Sequence, residues 1–293
     1  MKCYNRRQTN DLALLIPMKI KKLYSFSNKK QIWRLLPTQT GKLVVEERDP
    51  ASKEVFFSCL DIKTGKKILN NFQLEEKFWI GIEVIYKDII YFHKFRKADL
   101  PGHLGIIAFD IITKTILWET NEYIFLFIYE DRLYCYKEKF DGRNFYKLDY
   151  STGKLLSDIG RDVTGINILK EKTLSDDNPN GSYFTRQFNP GYENNETVRN
   201  HLTGIKTGNL VSGKIEYIYL GGLLLYSFHE ILPSGGEMKN IFRAVDIEAG
   251  KVIFEEELNT GIKVFVPDSF FIADDLLFLL KDKTGFITCS IDK

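Results

Sequence analysis

The chain has few cysteines, no long apolar run and no surplus of either charge. Its four cysteines, at positions 3, 59, 135 and 289, are scattered through 293 residues with no C-x-x-C pair. That argues against a zinc ribbon and against a disulfide framework. Cys59, Cys135 and Cys289 fall in strand-like apolar runs, where a thiol behaves as a small buried hydrophobe. Lys and Arg number 41 against 39 Asp and Glu, a formal net charge of +2. No whole-molecule field therefore draws the chain to nucleic acid or anionic lipid. No segment approaches the length of a membrane span, and the apolar stretch at 12–17 is too short for a signal-peptide core. These absences predict a reduced, cytoplasmic, soluble protein, and a monomer is expected.

Nucleotide and hydrolase motifs are missing as well. There is no G-x-x-x-x-G-K-S/T loop, no G-x-G-x-x-G after a strand and no G-x-S-x-G elbow. Residues 1–17 read as a disordered leader or an over-called start, because the regular pattern begins after Met18. Residues 18–293 then form a single domain.

What the sequence does contain is strand material: 22 Phe and 15 Tyr, both favoured on pleated surfaces. It also contains a recurring turn. L-D-I-K-T-G-K at 60–66 returns as F-D-I-I-T-K at 109–114, L-D-Y-S-T-G-K at 148–154 and V-D-I-E-A-G-K at 245–251. The aspartates recur every roughly 40–50 residues, with one double gap that G-I-K-T-G-N-L at 204–210 divides. Within each period short apolar runs are separated by two-residue turns of the hairpin type: Lys87-Asp88, Glu130-Asp131, Gly221-Gly222 and Asp274-Asp275. No stretch shows sustained helical periodicity. Four short antiparallel strands per unit, repeated six times, predict an all-β propeller of six four-stranded blades, with five or seven as alternatives. An orphan strand near residues 21–26 is expected to complete the last unit and close the ring.

The D-x-x-T-G-K turn followed by an apolar strand, with Trp118 in Ile116-Leu117-Trp118, resembles the repeat of quinoprotein-type (PQQ-like) propellers. Dehydrogenases of that class typically have eight blades, work outside the cytoplasm and hold a quinone with calcium, a catalytic Asp and often a vicinal cysteine pair. About six units, no export signal and no Cys-Cys leave no position onto which those residues carry, so no cofactor is expected. E-E-K-F-W-I-G-I-E at 75–83, with P-G-H-L-G-I-I-A at 101–108, also resembles bacterial proteins catalogued only as a domain of unknown function. That likeness implies no activity.

Function is expected on the side carrying the longer, more varied loops, at 48–53, 96–103, 137–143, 189–199 and 232–240. The 96–103 loop would offer Arg96 and His103 to an anionic ligand, beside the plainer reading of a polar Pro-Gly turn. His93 and His229 lie near the ends of second strands and would reach the same rim, or serve as satisfied strand histidines. Arg34 and Glu83 occupy equivalent places in neighbouring units and are expected to pair across the channel, since a channel charge is costly alone. D-D-N-P-N-G at 176–181 is a weak calcium-loop likeness through Asp176, Asn178 and Asn180, with Gln187 where a bidentate Glu belongs. The expected function is a non-enzymatic binding or protein-interaction module for a protein or small molecule. The alternative is a small-molecule enzyme at the channel mouth using His103, Arg34 or Glu83.

Overall fold

The computed structural model describes residues 18–97, 100–175, 182–208, 211–233 and 235–292. The described strands assemble into four sheets. β1 (Lys19–Ser27) is followed by β2 (Gln31–Pro37), β3 (Lys42–Arg48), β4 (Val55–Asp61) and β5 (Lys67–Phe72). Next come β6 (Ile80–Tyr86), β7 (Ile89–Lys97), β8 (Leu100–Asp110) and β9 (Thr115–Thr120), then β10 (Ile124–Tyr129), β11 (Arg132–Lys139), β12 (Gly142–Asp149) and β13 (Leu155–Gly160). Helix α1 (Val163–Ser175), the two-residue strands β14 (Tyr183–Phe184) and β15 (Arg186–Gln187), and helix α2 (Glu196–Gly208) precede β16 (Val211–Leu220). The chain then runs through β17 (Leu223–Ile231), β18 (Met238–Asp246), β19 (Lys251–Ile262), β20 (Phe270–Ala273), β21 (Leu276–Lys281) and β22 (Gly285–Asp292).

The hairpins form where the turn residues demand them. Lys87 and Asp88 both take positive φ, as do Glu130 and Asp131, Gly221 and Gly222, and Asp274 and Asp275. That pair of conformations matches the right-handed twist of the flanking strands. In the recurring aspartate turns, Asp61 accepts hydrogen bonds from the Thr64 amide and hydroxyl, at 2.8 and 2.7 Å. These bonds hold the Asp61 carboxyl below its ordinary range. Gly65 closes the turn at φ +70, and a Cβ there would lie 2.5 Å from the Tyr24 ring. Only glycine meets both demands.

The six-bladed propeller is not what these strands build, and the five- and seven-unit alternatives fall with it. Three causes are visible. The two units from β6 to β13 join through the Ile124↔Gly105 bridge into one eight-stranded sheet. The stretch counted as a fourth unit holds two helices, and I-K-T-G at 205–208 is the end of α2. The first strand does pair with the last, from Lys19↔Asp292 to Ser27↔Gly285. It thereby joins a five-stranded sheet, β1-β22-β21-β20-β14, which ends on β14 and closes no ring. None of the four sheets is closed, and the arrangement is a layered, sandwich-like one.

The layers are held by apolar side chains meeting between sheets. Phe57 of β4 meets Phe92 of β7 with ring centroids 4.7 Å apart, inside a cluster that also buries Val44, Ile82 and Phe109. Leu43 and Val45 share a second cluster with Phe278 and Phe286. Phe242, Phe270 and Leu277 join the β15–β19 sheet to the five-stranded one. The helices cover sheet faces. Asn195 caps α2 by accepting from the Val198 amide, and Val198 and Leu202, one turn apart, pack with Tyr217 and Tyr226. On the other helix, Asp162 accepts from the Gly165 amide and Ile166 packs with Phe127 and Phe145. Burial pushes the Cys59 and Cys135 thiols to about 12 and that of Cys289 to about 11, as befits inert core residues.

Candidate functional site

The site grows out of three neighbouring strands. β7 pairs with β6 through Gly81↔His93 and with β8 through Phe95↔His103. Paired residues share a face, and so do residues two apart on one strand. Gly81, Glu83, His93, Phe95 and His103 therefore lie on one side of the sheet. The register shifts between Ile82 and Val84, which makes Glu83 the extra residue of a bulge, a device that re-aims a side chain. Of the stretch at 96–103, residues 96–97 belong to β7 and residues 100–103 to β8, with Lys97↔Leu100 paired.

His103 Nδ1 lies 2.6 Å from Glu83 Oε1. His93 Nδ1 lies 3.1 Å from the same oxygen, out of line for a hydrogen bond, so both nitrogens of this ring have no hydrogen-bond partner. The two imidazoles stack with centroids 3.6 Å apart and planes 5° from parallel. Phe95 stands edge-on to both rings. His93 is only 4% exposed, whereas the His103 side chain is 37% exposed. Burial alone would raise the Glu83 carboxyl, but the close approach of the His93 and His103 imidazoles outweighs it and holds the carboxyl below its ordinary value. One ligand atom from each of the three residues lies within 4.8 Å of the others. Gly81 makes the room: a Cβ there would meet His93 Cε1 and Nε2 at 3.0 Å.

Arg34 stands behind this cluster without pairing with Glu83. Its Nε and Nη2 donate to Glu46 Oε2 at 2.8 and 2.7 Å, and Nη2 also donates to the Ile82 carbonyl at 2.6 Å. The expected Arg34–Glu83 pair is thus replaced by two separate sets, Arg34 with Glu46 and Glu83 with the histidines. Arg48, over the Trp33 ring at 4.7 Å, supplies a second contact to Glu46 at 3.3 Å. A cavity of about 290 Å³ opens beside Arg34, lined also by Trp33, Phe184, Asp268 and Phe271.

His229 lies apart from the cluster, on β17. Its Nε2 accepts from the Val266 amide at 3.2 Å, and burial depresses the imidazole to about 4. It acts as a neutral acceptor that pins the 263–268 connection. Arg96 lies on β7. Asp176, Asn178 and Asn180 lie outside the described residues. Sequence reasoning singled out Glu83, His93 and His103 separately but missed Gly81, Phe95 and Glu46. A glycine inside the apolar run at 79–85 was the available signal, since such a glycine often marks a close approach.

Residues 36–118, which include Glu83, His93 and His103, match the model of a domain of unknown function (DUF4905). The likeness to such a domain is therefore present over this stretch, and the matched family carries no quinoprotein description. No curated protein matches the chain. Among solved structures, a member of the DUF4221 family from Bacteroides vulgatus is 9% identical and has a TM-score of 0.31. The match covers 94% of this chain and 96% of that one. An uncharacterized protein from Listeria monocytogenes is 11% identical, with a TM-score of 0.31 and coverage of 87% and 76%. An acylaminoacyl peptidase from Pyrococcus horikoshii is also 11% identical, with a TM-score of 0.30. There the match covers 86% of this chain but only 35% of the peptidase. Among the described residues no helix is long and apolar enough to cross a membrane.

Proposed function

We propose that this protein is a non-enzymatic binding module, cytoplasmic in setting, whose ligand is taken by Glu83, His93 and His103. The observation that carries this reading is His93: an almost wholly buried imidazole with neither nitrogen hydrogen-bonded, set against a carboxylate and a half-exposed second imidazole. Buried polar atoms without partners cost free energy that a bound group supplying those partners recovers. Arg34 supports the site from behind by holding the carbonyl of Ile82, the residue before Glu83.

A thermal-shift screen of the full chain tests this reading. The probes are divalent-cation chlorides, short carboxylates, phosphate and nucleotides. Stabilisation by some probe that disappears in His103→Ala and Glu83→Gln, both still folded, supports the site. Stabilisation that both variants keep sinks it, as does the absence of any shift.

A second reading, a small-molecule enzyme, draws on the 2.6 Å contact between Glu83 and the exposed His103. A carboxylate that orients an accessible imidazole is the usual support of a general base. Turnover of a bound probe, abolished in both variants, is the outcome that would favour it over the binding module.

A further inference from the structure

We infer that Glu83, His93 and His103 are the three protein ligands of a site for a borderline divalent transition metal of the Zn²⁺ class. The inference rests on the binding reading above and names its ligand. Two imidazole nitrogens and one carboxylate oxygen suit Zn²⁺, Co²⁺ or Ni²⁺, whereas Mg²⁺ and Ca²⁺ call for oxygen donors throughout.

The spacing is close to what such an ion needs. In a tetrahedral zinc site with bonds of about 2.0–2.1 Å, ligand atoms sit about 3.3 Å from one another. Glu83 Oε1 is now 2.6 Å from His103 Nδ1 and 3.1 Å from His93 Nδ1. Admitting the ion therefore asks for shifts well under 1 Å at the oxygen, by comparison with that tetrahedral edge.

Near-parallel rings direct their in-plane lone pairs side by side, and a metal needs them to converge. His93 is fixed, with Gly81 against its ring on one side, His103 stacked on it and Phe95 at its edge. His103 is the more exposed ring and the one free to turn. Metal binding would then rotate His103 and replace its direct contact with Glu83 by bonds from both groups to the ion. The nearby positive charge does not oppose the ion strongly, because Arg34 is already paired with the fully buried Glu46. Three protein ligands leave a fourth position, on the exposed His103 side, for water or an external donor.

Calorimetric titration of the 293-residue chain with ZnCl₂, and visible absorption of the Co²⁺ form, test the site. Every chain carries Cys3→Ser, so that this cysteine cannot compete for the metal, and folding of each variant is checked by its melting curve. The expected result is a single equivalent of Zn²⁺ bound. His103→Ala and Glu83→Gln are each expected to weaken it by at least about tenfold, since even loss of an outer partner costs about 10–100-fold. Mg²⁺ and Ca²⁺ should give no saturable heat. If neither Zn²⁺ nor Co²⁺ binds, or if both variants bind them as tightly as the parent, the metal site is wrong. Binding of phosphate or a carboxylate that depends on His103, without metal binding, would overturn this inference while leaving the binding module intact. If no probe of any kind binds, both fall.

Discussion

Replacing Arg34 with methionine removes the main partner of a carboxylate that has no access to water. Glu46 on β3 is fully buried. Its Oε2 accepts both bonds from Arg34, while Oε1 has only the longer contact to Arg48. Methionine keeps the length and apolar bulk of the arginine stem, so the change isolates the guanidinium. Breaking a buried pair by deleting one partner costs roughly 3–5 kcal/mol, because the remaining charge stays desolvated. The Arg34 side chain is 36% exposed, so water can replace part of what is lost, and the low end, about 3 kcal/mol, is expected. At roughly 2–4 °C per kcal/mol for a chain of this size, the melting temperature should fall by about 6–12 °C. The double variant Arg34→Met/Glu46→Met should regain most of that, since removing both partners leaves no stranded charge. Differential scanning calorimetry of the parent, the two single variants and the double variant completes a double-mutant cycle. A melting temperature for Arg34→Met within about 1 °C of the parent would refute the reasoning, given the slope above. So would a double variant no more stable than that single one.

Other changes test other parts of the structure. Burial raises the Glu216 carboxyl to about 7, although its Oε2 accepts from the Asp268 amide at 2.9 Å. Below about pH 4 both folded and unfolded forms carry the proton; between there and 7 the unfolded chain ionises first, so folding loses roughly 3 kcal/mol as pH rises. Glu216→Gln should therefore be more stable than the parent at pH 8 by roughly 2–3 kcal/mol and no different at pH 4; parallel denaturation curves at the two pH values would count against the burial argument. Gly81→Ala should push the His93 ring against His103, costing about 1–2 kcal/mol of stability and weakening any probe bound at the cluster. An unchanged affinity there would show that His93 takes no part. Deleting residues 19–28 removes β1, one of the two strand partners of β22, and the Phe26 ring stacked on Phe286 at 5.2 Å. Hydrogen exchange in β20–β22 should rise sharply, and normal protection would contradict the pairing.

The sequence by itself determined the local geometry. Two-residue turns such as Lys87-Asp88 and Glu130-Asp131 were legible because a tight hairpin needs positive φ at both central positions. The aspartate turns were legible because a short carboxylate bonds the amides two and three residues on, as Asp149 does with Ser151 and Thr152. Alternation of apolar residues gave the strands, and their buried cysteines followed. Only the tertiary structure decided how the strands group. Strands of similar composition can pair in more than one way, and one bridge, Ile124↔Gly105, merges two apparent units into a single sheet. The helices escaped notice because α2 keeps only a narrow apolar stripe at Val198, Leu202 and Ile205, and α1 keeps Ile166 and Leu169 against β10–β12. The site shows the same division. Glu83, His93 and His103 could be picked out singly as chemistry-bearing residues, but strand register brings them together. A slip of one residue between β6, β7 and β8 would turn them to opposite faces of the sheet. Register depends on the packing of the whole layer, and a bulge at Glu83 leaves no mark in the string of residues.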